Sequence, residues 1–471
     1  MNTILITNEP DGDLANNLIE REKTRLVCVT QNDVYIRTAD SIILGATLTI
    51  STQPLIDLPI IRSELSKAYP LIDRWVDNKV SISTALEQMM EYTTRLIGVI
   101  EQHGPDFAVL ETGAPHHLFT YCLDTALKYL SISAFYLYGN AFDLRCIIFR
   151  ENDKQEHAIV SDYSADSVVE EYVRHVEENI DYKPQDSINS LSSFLNRQPT
   201  YAAYIHLKQK LATYYQKHIK PSRNNNSLSI KLDLPTISFW HFLGLMQKQR
   251  AYQRLIKVSI PFDTKTIKST DVVFAGHMIP EATSFPECPD YPGEIDILLD
   301  LKCRFPDAQI FYREHPAISL FSEENHIHFQ GLHKNPVFYK QLQSIGIKII
   351  SPSTSISEIR KTQCLFATKT GRIAIENSIL GLPTLIYGFP FYGAGIPGAV
   401  NIRSLSEEKT VQEIKWLVRR NNKSSSSVKE HLTKMFSGSI SNPGIGIKTN
   451  SQNDLFIEDI IRFVSITLQK K

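Results

Sequence analysis

Four short segments between residues 274 and 376 place imidazole, guanidinium, carboxylate and hydroxyl groups directly after apolar runs. Phe274-Ala275-Gly276-His277-Met278-Ile279-Pro280-Glu281-Ala282-Thr283 offers an imidazole, a carboxylate and a hydroxyl in one loop. Phe311-Tyr312-Arg313-Glu314-His315-Pro316 ends an apolar run in three polar groups, and the proline keeps His315 extended instead of letting it enter a helix. An imidazole held there can donate to a phosphate, with Arg313 adding charge if it faces the same way. Ser351-Pro352-Ser353-Thr354-Ser355 precedes a helix starting near Ile356, where hydroxyls and open N–H groups form an N-cap and, equally, an anion site. Thr368-Lys369-Thr370-Gly371 repeats the arrangement, with Glu376 one turn into the next helix. Glu376 there accepts from ribose hydroxyls or is a first-turn acid favoured by the helix dipole. Each segment also has a plain alternative: an ordinary loop histidine, a surface ion pair, a cap. Jointly they describe recognition of an anion and its hydroxyl-bearing neighbour.

These groups need strands to carry them. Asp271–Ala275, Gln309–Arg313, Ile347–Ser351, Cys364–Ala367 and Pro383–Tyr387 read as buried strands, alternating with helices Glu294–Arg304, Pro336–Ile345 and Gly371–Leu380. The front of the chain has the same alternation. Strands are expected at Ile4–Thr7, Ser41–Leu44, Pro105–Leu110 and Ile132–Leu137, and helices at Ile82–Glu101 and Leu118–Leu130. Glu111 to His117 therefore leaves the carboxyl end of a strand, where ligands collect in open α/β sheets. The fold class is α/β, divided as 1–190, a helical bridge 191–265 that includes Tyr201–His218, a second α/β domain 266–450, and a C-terminal helix 451–471 that packs back across the junction.

The chain's 471 residues carry 50 basic and 51 acidic groups, a net charge of −1. Residues 1–190 hold 15 basic against 29 acidic groups, and residues 191–471 hold 35 against 22. Opposed halves point to two domains with different ligands, the basic one suited to an anion. With 42% hydrophobic residues the chain is neither disordered nor a disulfide miniprotein. The six cysteines form no CxxC pair, which implies reduced structural residues in the cytoplasm and no metal cluster. Met1 to Thr7 reads as a first strand and not a signal peptide. No run approaches the ~18 apolar residues of a membrane span, so membrane contact is expected to be peripheral. The basic half lacks the dense Lys/Arg run or zinc signature of nucleic-acid binders.

The order of these motifs resembles the bacterial capsule polysaccharide biosynthesis proteins, which include the β-Kdo transferases. The resemblance runs through Ile279-Pro280-Glu281, Phe305-Pro306, Arg313-Glu314-His315-Pro316, Ser351 to Thr354, Thr370-Gly371 through Glu376 and Gly381-Leu382-Pro383, covering about residues 270–400. It implies a GT-B glycosyltransferase, two Rossmann-like domains across a cleft, using a CMP-activated ulosonic acid such as CMP-Kdo and no cofactor or metal. Pro280, Glu281, His315 and Pro316 fall on the family's Pro-Glu and His-Pro motifs, and Ser351, Ser353 and Thr354 on its phosphate-binding stretch. Two departures stand out: Ile279 replaces a frequent Gln, and Lys369 and Arg372 flank Thr370-Gly371 where relatives often have small residues. Charge builds on the departing nucleoside monophosphate, so preorganised donors stabilise the transition state. The acceptor's base or a sugar nucleophile must then come from the front domain. Glu111 is the first choice, His116 and His117 the second, and Asp143 the nucleophile if configuration is retained. The competing reading makes Glu111 a helix cap and leaves His116 in solvent. The expected partners are a nucleotide-sugar donor, a glycan or lipid-linked acceptor, and peripheral contact with the inner membrane or assembly proteins. A UDP-N-acetylhexosamine epimerase and a non-catalytic assembly partner are the rival readings.

Overall fold

A computed structural model of the chain describes residues 2–7, 20–22, 24–30, 41–43, 58–75, 81–110, 118–139, 145–150, 157–158, 160–178, 266–277, 287–291, 293–315, 336–350, 354–390, 395–405, 409–421, 425–441 and 450–469. The expected helix Tyr201–His218 lies outside them.

The first unit contains strands β1 (Asn2–Thr7), β2 (Thr24–Thr30) and β3 (Ser41–Ile43), then helices α1 (Leu58–Ser66), α2 (Tyr69–Trp75) and α3 (Ile82–His103). It continues with β4 (Phe107–Leu110), α4 (Leu118–Tyr129), β5 (Ala134–Gly139), β6 (Arg145–Arg150), β7 (His157–Ala158) and α5 (Asp166–Glu178). Strands β1 to β5 are parallel in the order β3-β2-β1-β4-β5, and β6 adds antiparallel to β5. Alternate residues of each inner strand enter opposite cores, which is why these strands read as unbroken apolar runs. Leu5, Ala108 and Leu110 pack under α1 to α4, while Ile4, Ile6, Phe107 and Val109 face the other side. The long helix α3 is set by its ends: the Ser81 hydroxyl accepts the Thr84 N–H at 3.1 Å, and Gly104 at φ 53° donates its N–H to Ile100.

The second unit has β8 (Val272–Ala275), α6 (Glu294–Arg304), β9 (Ile310–Arg313), α7 (Pro336–Ser344), β10 (Lys348–Ile350), α8 (Ile356–Lys361), β11 (Leu365–Thr368), α9 (Ile373–Ile379), β12 (Thr384–Ile386) and β13 (Ala399–Asn401). Helices α10 (Val411–Asn421) and α11 (Ser425–Phe436) follow, then β14 (Ile440–Ser441) and α12 (Asn450–Gln469). All six strands of its sheet are parallel, in the order β10-β9-β8-β11-β12-β13. Numbered within the unit that is 3-2-1-4-5-6, the doubly wound order, which reverses between β8 and β11. The first sheet reverses likewise between β1 and β4. Both units are Rossmann-like, and the strand order of each described sheet reverses once.

After the second unit the chain returns to the first. β14 pairs antiparallel with β6. On α12, Phe456, Ile457, Ile460, Ile461, Phe463 and Val464 form the apolar stripe that covers Ile4, Ile6, Phe107 and Val109. Phe463 meets Phe107 and Phe135 edge to face, with ring centroids 6.1 and 4.9 Å apart. A shared core also joins the units, uniting Tyr138, Ile147 and α5 residues Val169 and Val173 with Ala374, Ile375, Ile386, Val428 and Leu432.

A hydrogen-bonded link joins the end of β5 to the segment just beyond β12. The Tyr138 hydroxyl, near the end of β5, donates to the buried Glu287 carboxylate, whose backbone carbonyl accepts the Phe389 N–H just beyond β12. Burial, with the Glu287 charge adding to it, holds the Tyr138 phenol well above its ordinary value, so it remains a donor. Tyr138→Phe leaves that carboxylate short of a buried donor and is expected to cost ~1–3 kcal/mol, read as a lower melting temperature with unchanged far-UV circular dichroism. An unchanged melting temperature would remove this contact from the set that holds the units together.

Candidate functional site

The second sheet's carboxyl edge is level because its strands are in register: Ala275 lies opposite Arg313, and Arg313 opposite Ile350. The chain leaves β8 through Gly276 and His277, β9 through Glu314 and His315, and β11 through Lys369, Thr370 and Gly371. At the reversal between β8 and β11 the His277 Nε2 lies 2.8 Å from the Thr368 Oγ1. The Lys369 backbone N–H also reaches Nε2, at 3.2 Å. A backbone N–H can only donate, so Nε2 is an acceptor and the ring proton sits on Nδ1. Thr368 Oγ1 in turn accepts the Gly371 N–H at 3.2 Å. Gly371 is required here: a Cβ on it would lie 2.8 Å from Thr368 Oγ1 and 3.2 Å from His277 Cε1. Gly276 is required as well, since its Cβ would lie 2.6 Å from the Tyr312 hydroxyl.

Beneath these junctions lies a layer of buried carboxylates. Glu294, the first residue of α6, accepts the His277 N–H at 2.6 Å and the Tyr312 hydroxyl at 2.7 Å. Glu314 is fully buried and accepts the His315 N–H at 2.7 Å and the Tyr339 hydroxyl at 2.6 Å, with the Tyr312 hydroxyl at 2.9 Å.

On the other face of β9 the Arg313 side chain is buried. One Nη donates to the Thr354 carbonyl at 3.3 Å, and Nε has no partner. Burial first, and then the nearby Arg360 charge, push its guanidinium down to about 10, so it stays cationic at neutral pH. A buried N–H without an acceptor is costly, and an anion at this edge would supply one. The Thr370 hydroxyl is likewise buried without a partner. His315 is half-buried, and Thr354 sits just ahead of Ser355, the N-cap of α8. Glu376 is one-third exposed (34%) and pairs with Arg360 at 2.6 Å. Arg360 also donates to Asn377 Oδ1 at 2.9 Å, and the Asn377 amide donates to Thr384, so the group ties α8 to α9 and β12. Glu376 is therefore bound up in an ion pair, a partner that its position one turn into a helix did not disclose.

Arg313, His315, Thr354, Thr370 and Gly371 are thus gathered along one sheet edge. Pro280, Glu281, Pro316, Ser351 and Ser353 lie outside the described residues, as do Glu111, His116, His117 and Asp143. In sequence Glu111 follows Leu110, the last residue of β4. Sequence reasoning missed Glu294, Glu314, Tyr339, Arg360, Glu287 and Tyr138 as site residues, and gave His277 no partner. A carboxylate after an apolar strand was visible at Glu314; nothing local marks the others. Among the described residues no three His, Cys, Asp or Glu side chains converge as a metal site, and no helix is long and apolar enough to cross a membrane. Of the described cysteines, Cys122, Cys288 and Cys364 are buried free thiols, and burial pushes them up to about 12, 11 and 12.

The sequence matches no family model and no curated protein. Among solved structures it is similar to the KpsC β-Kdo 2,7 transferase of Thermosulfurimonas dismutans, at 14% identity and a TM-score of 0.28, over 76% of this chain and 97% of that one. It is also similar to UDP-GlcNAc 2-epimerase from Neisseria meningitidis, at 10% identity and a TM-score of 0.21 over the whole of both chains. MurG of Acinetobacter baumannii aligns at 7% identity and a TM-score of 0.20, over 92% of this chain and 100% of that one.

Proposed function

We propose that the chain is a GT-B glycosyltransferase of surface polysaccharide assembly, moving an ulosonic acid such as Kdo from a CMP-activated donor to a glycan or lipid-linked acceptor. The observation that carries the reading is the second sheet's carboxyl edge. There a buried guanidinium with an unpartnered Nε and a buried unpartnered threonine hydroxyl lie on the row of strand ends that also carries His315 and the Lys369-Thr370-Gly371 turn. Such a set suits a phosphate monoester with sugar hydroxyls beside it, and it acts through donors fixed before the reaction. In this reading Arg313, His315 and the Ser351, Ser353 and Thr354 stretch hold the phosphate, with Thr370 and Gly371 beside it. Pro280 and Glu281 border the base or ribose, and Pro316 fixes the turn after His315. These donors meet the charge of the departing monophosphate, so the proposed transfer uses no cofactor and no metal. The first unit meets the second where Tyr138 donates to Glu287. Its loops supply Glu111 or His116 as the base, or Asp143 as the nucleophile. In this reading the protein works in the cytoplasm, in peripheral contact with the inner membrane, where lipid-linked acceptors are reached.

CMP is expected to raise the melting temperature more than UMP or UDP, with His315→Ala removing most of that gain. Equal shifts with all three nucleotides, or an undiminished CMP shift in the variant, would sink the donor assignment. A preference for UDP would favour an epimerase.

A further inference from the structure

The two histidine junctions are joined underneath. His277 leaves β8 and His315 leaves β9, adjacent strands of one sheet. Each backbone N–H donates to its own buried carboxylate, His277 to Glu294 and His315 to Glu314. Those carboxylates share one phenol: the Tyr312 oxygen lies 2.7 Å from Glu294 Oε2 and 2.9 Å from Glu314 Oε2. Tyr339 makes the third oxygen contact, 2.6 Å from Glu314 Oε2. Three oxygen–oxygen contacts are thus served by two phenol protons, and the Tyr312 proton can lie toward only one carboxylate at a time. The four groups form one connected set, and in a buried setting each contact conditions the next. Burial, with the two carboxylate charges adding to it, holds the Tyr312 phenol well above its ordinary value, so the hydroxyl keeps its proton.

We propose that Glu294, Tyr312, Glu314 and Tyr339 act as one positioning unit that fixes the His277 and His315 backbones together, so that the β8 and β9 junctions are set as a pair. None of the four is placed in contact with a ligand; they act through the two histidines. The consequence for nucleotide binding rests on the function proposed above, whereas the coupling of the two amides does not.

The first experiment uses the full chain without nucleotide and follows backbone amide hydrogen exchange at His277 and His315. Tyr312→Phe keeps the ring and both carboxylates and removes only the shared hydroxyl. It is expected to speed exchange at both amides by about tenfold or more, because both acceptors lose their common donor. Glu294→Gln is expected to loosen His277 and, by leaving the Tyr312 proton to Glu314, to shift exchange at His315 as well; Glu314→Gln is expected to do the converse. Tyr387→Phe, which removes a buried phenol contact to Asp300 elsewhere in the same core, controls for general destabilisation and should leave both amides protected. Effects confined to the histidine that each carboxylate touches, or equal loosening by Tyr387→Phe, would overturn the coupling.

The second experiment titrates CMP. Tyr312→Phe should weaken binding about tenfold, and Tyr312→Phe with His315→Ala should bind no worse than His315→Ala alone, as expected of a residue acting through another. Additive losses would overturn the positioning role. Failure of the unaltered chain to bind CMP would instead strike the nucleotide reading, with the exchange experiment still deciding the coupling.

Discussion

A chain ending at residue 449 is expected to lose the fold of its first α/β unit. Helix α12 is remote from that unit in sequence, yet Phe456, Ile457, Ile460, Ile461, Phe463 and Val464 are the stripe that covers one face of the first sheet. Each such side chain contributes ~1.5–3 kcal/mol when buried, so the six together are on the order of 10 kcal/mol. That is the whole net stability of a typical domain, about 5–15 kcal/mol. The uncovered face would hold Ile4, Ile6, Phe107 and Val109, residues now almost without solvent exposure. Limited proteolysis should find new cuts within residues 2–150 while the sheet built from residues 272–401 stays resistant. Phe463→Ala is the milder form: its ring packs on Phe107 and Phe135, and its loss should cost ~3–5 kcal/mol. A truncated chain with the melting temperature and cutting pattern of the full one would mean that the first unit holds together without this helix.

Glu314→Ala should be the most damaging single change in the second unit. The carboxylate is fully buried and accepts the His315 N–H and the Tyr339 hydroxyl, with Tyr312 beside it. Removing it strands buried donors at ~1–3 kcal/mol each and opens a cavity, so a loss of ~3–5 kcal/mol is expected by urea denaturation. Glu314→Gln keeps the volume and one acceptor oxygen, and should lose distinctly less. Equal losses in the two variants would show that charge matters here and volume does not; a loss under about 1 kcal/mol in Glu314→Ala would mean that the surrounding donors find other acceptors.

How far these features were legible depends on the range of the interaction behind each. The Val272–Ala275 run is a strand in sequence and in structure, because a parallel strand buried on both faces needs apolar side chains at every position. β2 escaped notice: Thr24 and Arg25 open it, and its membership rests on pairing with β1. β6 and β14 depend on antiparallel partners that local composition does not reveal. The same limit applies within the site. Arg313 and His315 could be picked out because a polar group after an apolar strand ends at a sheet's edge. Glu294 reads as an ordinary first-turn acid, and only the fold brings it to the His277 N–H, 17 positions away. Glu376 was half-legible in the same sense: its turn was visible and its partner Arg360 was not. The Tyr138–Glu287 bond spans 149 positions, well beyond the reach of any local pattern.

The return of the chain to its first unit bears on the order of synthesis. β1 to β6 leave the ribosome early, but β14 and α12 follow about 300 residues later, on the order of 15–60 s at typical elongation rates. Throughout that interval the face carrying Ile4, Ile6, Phe107 and Val109 lacks the cover that α12 gives it. The second unit, whose sheet is drawn from one uninterrupted stretch, is ready to fold before the first is finished. The nascent chain therefore completes its domains out of order, and an apolar sheet face waits for its covering helix until residues 450–469 arrive.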